Sequence, residues 1–213
     1  MLYPVFLDIR ARKCVVVGGG EIAARKAEAL LEAGAAVTVI SPEICPDLEE
    51  YAAAGRIFCI RAPYREDALD GAFIAVAATD DMSVNTRVNR DCRARNVIVN
   101  VVDVPELCDF HVPSIIRSGD ITVAIGTGGK SPALSRHLRL MLQDKIGPEY
   151  GQLLDILGSL RDTVKEQVPG QKRRHALWLK LIDSGILDEL RAGRAQSAEQ
   201  MAKQIVEQEI SQA

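Results

Sequence analysis

Along the first hundred positions, apolar residues come either in short unbroken runs or at intervals of three and four. Unbroken β-branched runs read as strands buried on both faces, and spaced ones as amphipathic helices. The runs predict strands at Cys14–Val17, Ala36–Ile40, Ile57–Ile60, Ala72–Ala78 and Val97–Asp103, after an extended lead-in from Leu2 to Ile9. Between them, Ala23, Ala27, Leu30 and Leu31 share one helical face, with Gly34 placed for a left-handed C-terminal residue. Pro46 to Ala54 reads as a second helix, and Arg65 to Leu69 as a short connection. Val84, Val88 and Cys92 mark a third helix. Strand and helix in alternation predict an α/β fold, with a Rossmann-type parallel sheet in the N-terminal half.

The pattern then changes. Ile121–Ile125 is one more strand, followed by the loop Gly126-Thr127-Gly128-Gly129-Lys130. A helix follows with Ser131 as N-cap and Pro132 at its first position, presenting Leu134, Leu138, Met141 and Leu142 on one face, with Gly147 and Pro148 placed to end it. From Tyr150 onward there is no strand signal. Leu153, Leu154, Leu157 and Leu160 predict one helix, and Ala176 to Leu181 around Trp178 another. The last is expected to open at Ser197 with Gln200 at capping-box spacing, burying Met201, Ala202, Ile205 and Val206.

Composition narrows the functional classes. The 213 residues are 47% hydrophobic but only 4% aromatic, which suits one large or two modest domains with an aliphatic core. A net charge of −3 leaves no general nucleic-acid footprint. The five cysteines are scattered without a C-x-x-C pair, as expected of reduced thiols in a cytoplasmic protein rather than of a disulfide framework or zinc site. His111, His137 and His175 form no metal-ligand spacing, so no resident metal is expected. The start carries neither a signal-like apolar run nor a membrane span.

Candidate chemistry gathers where strands end. Gly18, Gly20 and Ala23 fit the dinucleotide spacing G-x-G-x-x-G/A, directly after a strand and opening a helix. Gly18 would make the tight turn, Gly20 admit a pyrophosphate to the backbone N–H groups, and Ala23 let helix and strand pack closely; the alternative is a purely structural glycine turn. Where this fingerprint usually places an acid for the ribose, the second strand ends in Ser41, Pro42 and Glu43. Glu43 would repel a 2′-phosphate, which favours NAD over NADP. Thr79, Asp80 and Asp81 end the fourth strand, where open α/β sheets bind ligands; Asp81 or Ser83 could equally cap the next helix. Asp103, at the end of the fifth, is either an acid/base group beside a nicotinamide or a turn former before Val104-Pro105. The loop before Ser131 is not a P-loop, because Ala124 stands where its first glycine must be. Its helix N-terminus and Lys130 could bind carboxylates, with Arg117, Arg136 and Arg139 as further cations; the alternative, and the more common case for any one of them, is a solvated surface charge.

Taken together, GGGEIAARKAEALLEAGA, AATDD with VN soon after, NVVD, and PSII followed by GGKSPALSR resemble the siroheme-synthase family, over Leu2 to about Leu142. The resemblance implies an NAD-binding domain at 1–112, a dimerisation segment at 113–147 with exchanged elements, and a helical domain at 148–213. It implies NAD-dependent oxidation of precorrin-2 to sirohydrochlorin, often joined by insertion of ferrous iron to give siroheme, in a homodimer. Asp103 then carries the catalysis. The cofactor is expected at Gly18, Gly19, Gly20, Glu21, Ile22, Ser41, Pro42, Glu43, Thr79 and Asp80. The tetrapyrrole carboxylates are expected at Arg117, Thr127, Lys130, Ser131 and Arg136, with Thr127 standing where many members carry serine. A methyltransferase domain, appended in fused members, has no room in 213 residues. The competing class is an NAD-binding regulatory module, which would make no use of a carboxylate at Asp103.

Overall fold

The computed structural model describes residues 2–211, which leaves the outermost ends of the first and last expected domains outside the description. The chain forms two compact units, Met1–Val112 and Pro113–Ala213.

In the first unit, β1 (Lys13–Val17), β2 (Ala36–Ile40), β3 (Ile57–Ile60), β4 (Ile74–Ala77) and β5 (Ile98–Val101) form one parallel sheet in the order β3-β2-β1-β4-β5. Three helices alternate with them: α1 (Glu21–Glu32), α2 (Pro46–Ala53) and α3 (Met82–Ala94). Side-chain alternation divides the strands between two cores. Cys14, Val16, Val37, Val39, Ile74 and Val76 face Ala23, Ala24 and Ala27 of α1 and Leu48 of α2. Val15, Val17, Ile40, Ala75, Ala77, Val99 and Val101 face Val88 and Cys92 of α3, with Tyr64 and Leu69. Both faces are therefore covered, which explains why the strands read as unbroken apolar runs.

Two strands are shorter than their apolar runs predict. β4 begins at Ile74 rather than Ala72, and β5 stops at Val101 rather than Asp103. The chain turns out of the sheet once Val102 N–H has bonded to Ala77 O (3.0 Å), and Val104 N–H closes back on Val101 O (3.3 Å). Register brings four strand ends level: Ile40, Val17, Ala77 and Val101 are neighbours across β2, β1, β4 and β5. The strand order reverses between β1 and β4, the place where such sheets open a crevice at their C-terminal ends.

The second unit starts with an antiparallel hairpin, β6 (Ser114–Ser118) and β7 (Ile121–Ile125). Only β7 was legible as a strand, since β6 mixes Ser114, Arg117 and Ser118 with two isoleucines. Among the described residues six helices follow: α4 (Pro132–Gln143), α5 (Pro148–Ser159), α6 (Arg161–Gln167), α7 (Gln171–Ile182), α8 (Ile186–Arg191) and α9 (Ala195–Ser211). Gly147 and Pro148 open α5, as its N-cap and first residue, instead of ending α4. Ser197 lies inside α9, which has already begun at Ala195, so it is not the cap its spacing predicts. The hairpin tip sits hard against α5, because a Cβ on Gly151 would lie 2.9 Å from Gly119 N. Ser118 Oγ stitches this contact by donating to Gly147 O (2.7 Å) and accepting from Gly151 N–H (3.1 Å). Leu153, Ile156, Val164, Leu177, Leu181, Ile186, Ala198, Ala202 and Val206 form the helical core. α4 takes no part in it: its one buried residue is Ser135, and Leu134, Leu140 and Met141 are each about half exposed.

Candidate functional site

The glycine turn between β1 and α1 shows three different steric situations. Gly18 has φ +129°, and a Cβ there would lie 2.2 Å from Ala78 O. Gly19 is the tightest, since a Cβ would lie 1.8 Å from Glu43 O. Gly20 faces open space, with nothing within 4 Å of a Cβ. Loop 41–45 is bonded onto this turn by Cys45 N–H donating to Gly19 O (2.7 Å), and the end of β2 by Gly18 N–H donating to Ile40 O (2.9 Å). Gly20 is also the N-cap of α1 and offers no side-chain cap, so the first-turn N–H groups face the same open space. A bare helix N-terminus above an uncrowded glycine fits a pyrophosphate. Ala23, fully buried, lets α1 lie close to the sheet. Glu21, Ile22, Pro42 and Glu43 are exposed around the turn, and Ser41 is half-buried with its N–H bonded to Ile60 O (3.1 Å).

Across the crevice, Thr79 is fixed by a residue to which the sequence reading gave no role. The buried Asn85 amide accepts from Thr79 N–H (3.3 Å) and hydroxyl (2.8 Å) and donates to Thr79 O (2.8 Å). Asp81 caps α3, its Oδ1 accepting from Ser83 N–H (2.8 Å), Val84 N–H (3.4 Å) and the Ser83 hydroxyl (2.6 Å). The Ser83 hydroxyl and N–H hold the Asp81 carboxyl below its ordinary pKa. Capping is thus the role the structure gives Asp81, while Asp80 beside it is exposed.

Asp103 lies two residues past the level strand ends, exposed, in the turn Val101–Val104, with φ +61°. Few non-glycine residues adopt that conformation, and Asp is among those that tolerate it. Residues 104–110 then double back along β5. Asn89 Nδ2 donates to Leu107 O (2.8 Å) and Asn100 Nδ2 to Phe110 O (2.9 Å). The Cys108 thiol accepts from Val101 N–H (3.2 Å) and lies within 3.3 Å of Val104 O. Asn100 had a signal, as a polar interruption in an otherwise apolar strand, while Asn85 and Asn89 lie on a largely polar side of α3. Cys108 had none.

The expected carboxylate binders belong to the second unit. Ser131 caps α4 by accepting from Leu134 N–H (3.1 Å). The Thr127 hydroxyl donates to Ser131 O (3.1 Å) and accepts from Ser131 N–H (3.3 Å), so both hydroxyls already brace the loop. Lys130 and Arg136 are exposed, Arg117 is exposed on β6, and Arg139 is engaged with Gln143 Oε1 (2.8 Å). Among the described residues, no group of three or more His, Cys, Asp or Glu could hold a metal ion, and no helix is long and apolar enough to cross a membrane.

Residues 5–114 match the family described as "Putative NAD(P)-binding", and residues 149–206 match the "Sirohaem synthase dimerisation region". The second match falls on the helices after α4, beyond the segment 113–147 that the resemblance marked for dimerisation. The chain is 41% identical over 203 residues to a siroheme synthase of Methylobacillus flagellatus, covering 95% of this chain and 44% of that protein. It is 39% identical over 195 residues to one of Escherichia coli O139:H28, covering 92% of this chain and 43% of that protein. The chain thus spans less than half the length of these relatives. Among solved structures, "SirC, precorrin-2 dehydrogenase" superposes with a TM-score of 0.76 at 28% identity, covering 95% of this chain and 100% of that one.

Proposed function

The chain belongs to the siroheme-synthase family, and from that membership we propose that it oxidises precorrin-2 to sirohydrochlorin with NAD⁺ as hydride acceptor. The observation that carries this reading is the crevice itself: a bare helix N-terminus over an open glycine, with Asp103 presented past strand ends level with that turn. NAD⁺, when bound, supplies the acceptor for the hydride. The chain's own residues do the rest. N–H groups of the first α1 turn hold the pyrophosphate, and loop 41–45, clasped to Gly19, flanks the ribose through Ser41, Pro42 and Glu43. Thr79, locked by Asn85, forms the opposite wall, with Asp80 beside it. Loss of a hydride leaves a cationic macrocycle that must also release a proton, and the role assigned to the Asp103 carboxylate is to stabilise that charge and accept the proton.

The substrate's carboxylates are assigned to Arg117, Lys130 and Arg136, with Thr127 and Ser131 bracing the loop that carries Lys130. If ferrous iron is also inserted, it enters as a substrate. Its ligands are then the tetrapyrrole nitrogens, with Asp103 taking the pyrrole protons. We further assign the protein to the cytoplasm, consistent with five free cysteines, and to a homodimer. Both 113–147 and the helices beyond it are offered as the interface, because α4 leaves half-exposed Leu134, Leu140 and Met141 on its surface. Light scattering at micromolar concentration should give twice the chain mass, and a monomer mass counts against the dimer.

Incubating the pure protein with precorrin-2 and NAD⁺ tests the activity. Absorbance of the more conjugated product and of NADH should rise together. A protein that binds NAD⁺ yet leaves precorrin-2 unchanged is a sensor and not this enzyme.

A further inference from the structure

We propose that Cys108 is the positioning residue for Asp103, its thiol standing in for a missing neighbour strand at the end of β5 and fixing the turn that presents the carboxylate. This rests on the reading of Asp103 as the acid/base group. β5 is an edge strand. Its inner N–H groups point at β4, as in Ile98 N–H to Phe73 O (3.3 Å), while those of Val99 and Val101 point outward and need other partners. Asp109 serves Val99, donating its N–H to Val99 O (2.8 Å) and accepting from Val99 N–H at Oδ2 (3.1 Å).

Cys108 serves Val101. Its sulfur accepts from Val101 N–H (3.2 Å), lies 3.2 Å from Val101 O and 3.3 Å from Val104 O, and receives Asn100 Nδ2 at 3.4 Å. Val101 and Val104 are the two ends of the turn, and Asp103 sits between them in the left-handed region. One thiol therefore ties together both ends of a strained turn that no strand supports. The long C–S bond lets one atom reach all of these groups. Burial raises the Cys108 pKa, which keeps the thiol protonated and able to donate as well as accept.

The test is a double-mutant cycle in the full chain, with kcat for precorrin-2 oxidation and the dissociation constant for NAD⁺ measured separately. Cys108→Ala should lower kcat about tenfold or more, because small displacements of a reacting group are costly, and leave NAD⁺ affinity unchanged. Cys108→Ser, which keeps a donor and an acceptor, should recover part of the loss. In Asp103→Asn the further change Cys108→Ala should cost nothing more, since both act through one group. Full kcat in Cys108→Ala, equal loss of kcat and NAD⁺ affinity, or a double mutant slowed by the product of the single effects would each overturn the proposal and leave Asp103 standing. Normal turnover by Asp103→Asn would instead remove the acid/base reading, and the proposal with it. Should Cys108→Ala not fold, Cys108→Val, which restores the bulk without the thiol, is judged by the same outcomes.

Discussion

The chain twice runs from a strand through a glycine loop into a twelve-residue helix, at β1–α1 and at β7–α4, and the two turns are finished in opposite ways. At α1 the N-cap is glycine, no side chain caps the helix, and its apolar face is buried against the sheet. At α4 Ser131 caps the helix, Thr127 braces the loop, and the apolar face is left half exposed. The first turn leaves its N–H groups without a side-chain partner and spends its hydrophobic face on the fold. The second satisfies its own backbone and keeps its hydrophobic face available. α3, capped by Asp81, belongs with α4 in this respect. Absence of a cap alone does not set α1 apart, since α5 and α7 also open on an uncapped glycine. What α1 adds is its place at the C-terminal end of a parallel sheet, beside the reversal in strand order.

The comparison can be broken most severely at Gly19. In Gly19→Ala the new methyl meets Glu43 O, so loop 41–45 must leave the turn and lose the Cys45–Gly19 bond. Overpacking of this kind costs about 1–3 kcal/mol, read as a lowered melting temperature with loss of NAD⁺ binding. Ser131→Ala opens the α4 N-terminus and should cost about 1 kcal/mol in chemical denaturation, without moving NAD⁺ affinity. The smallest effect is that of Asp81→Ala, and it depends on pH. Because the folded Asp81 pKa is depressed from 3.8, its contribution is present above that value and is lost as pH falls through the lower folded one. The stability difference between wild type and Asp81→Ala, measured by melting across pH, should therefore persist at neutrality and shrink in acid.

Much of this was legible beforehand. Strand-forming runs such as Cys14–Val17 and Ala36–Ile40 are unbroken because both sheet faces are covered, so periodicity located them within a residue. The same signal overran at Ala72–Ala78 and Val97–Asp103, since an apolar residue packs equally well just outside a ladder as within it. β6 escaped because a two-stranded hairpin needs no continuous apolar run. Gly147-Pro148 read as a stop although it is an equally good start, glycine at the N-cap and proline at the first position being favourable there. At the site, the glycine spacing was visible, but the distinct burdens on Gly18, Gly19 and Gly20 depend on which chain lies above each, and that contact is long-range. The clasp of Cys108 on Val101 and Val104 likewise arises only after the chain has doubled back.

NAD⁺ binding by calorimetry to a matched pair, Gly20→Asp and Gly126→Asp, decides whether the open α1 N-terminus holds the cofactor. Neither glycine has a positive φ or any atom within 4 Å of a new Cβ, so both variants should fold. If the open α1 N-terminus holds the pyrophosphate, Gly20→Asp places a carboxylate in its seat and abolishes binding by clash and like-charge repulsion, while Gly126→Asp binds as wild type. Unchanged NAD⁺ affinity in a folded Gly20→Asp protein would contradict the account.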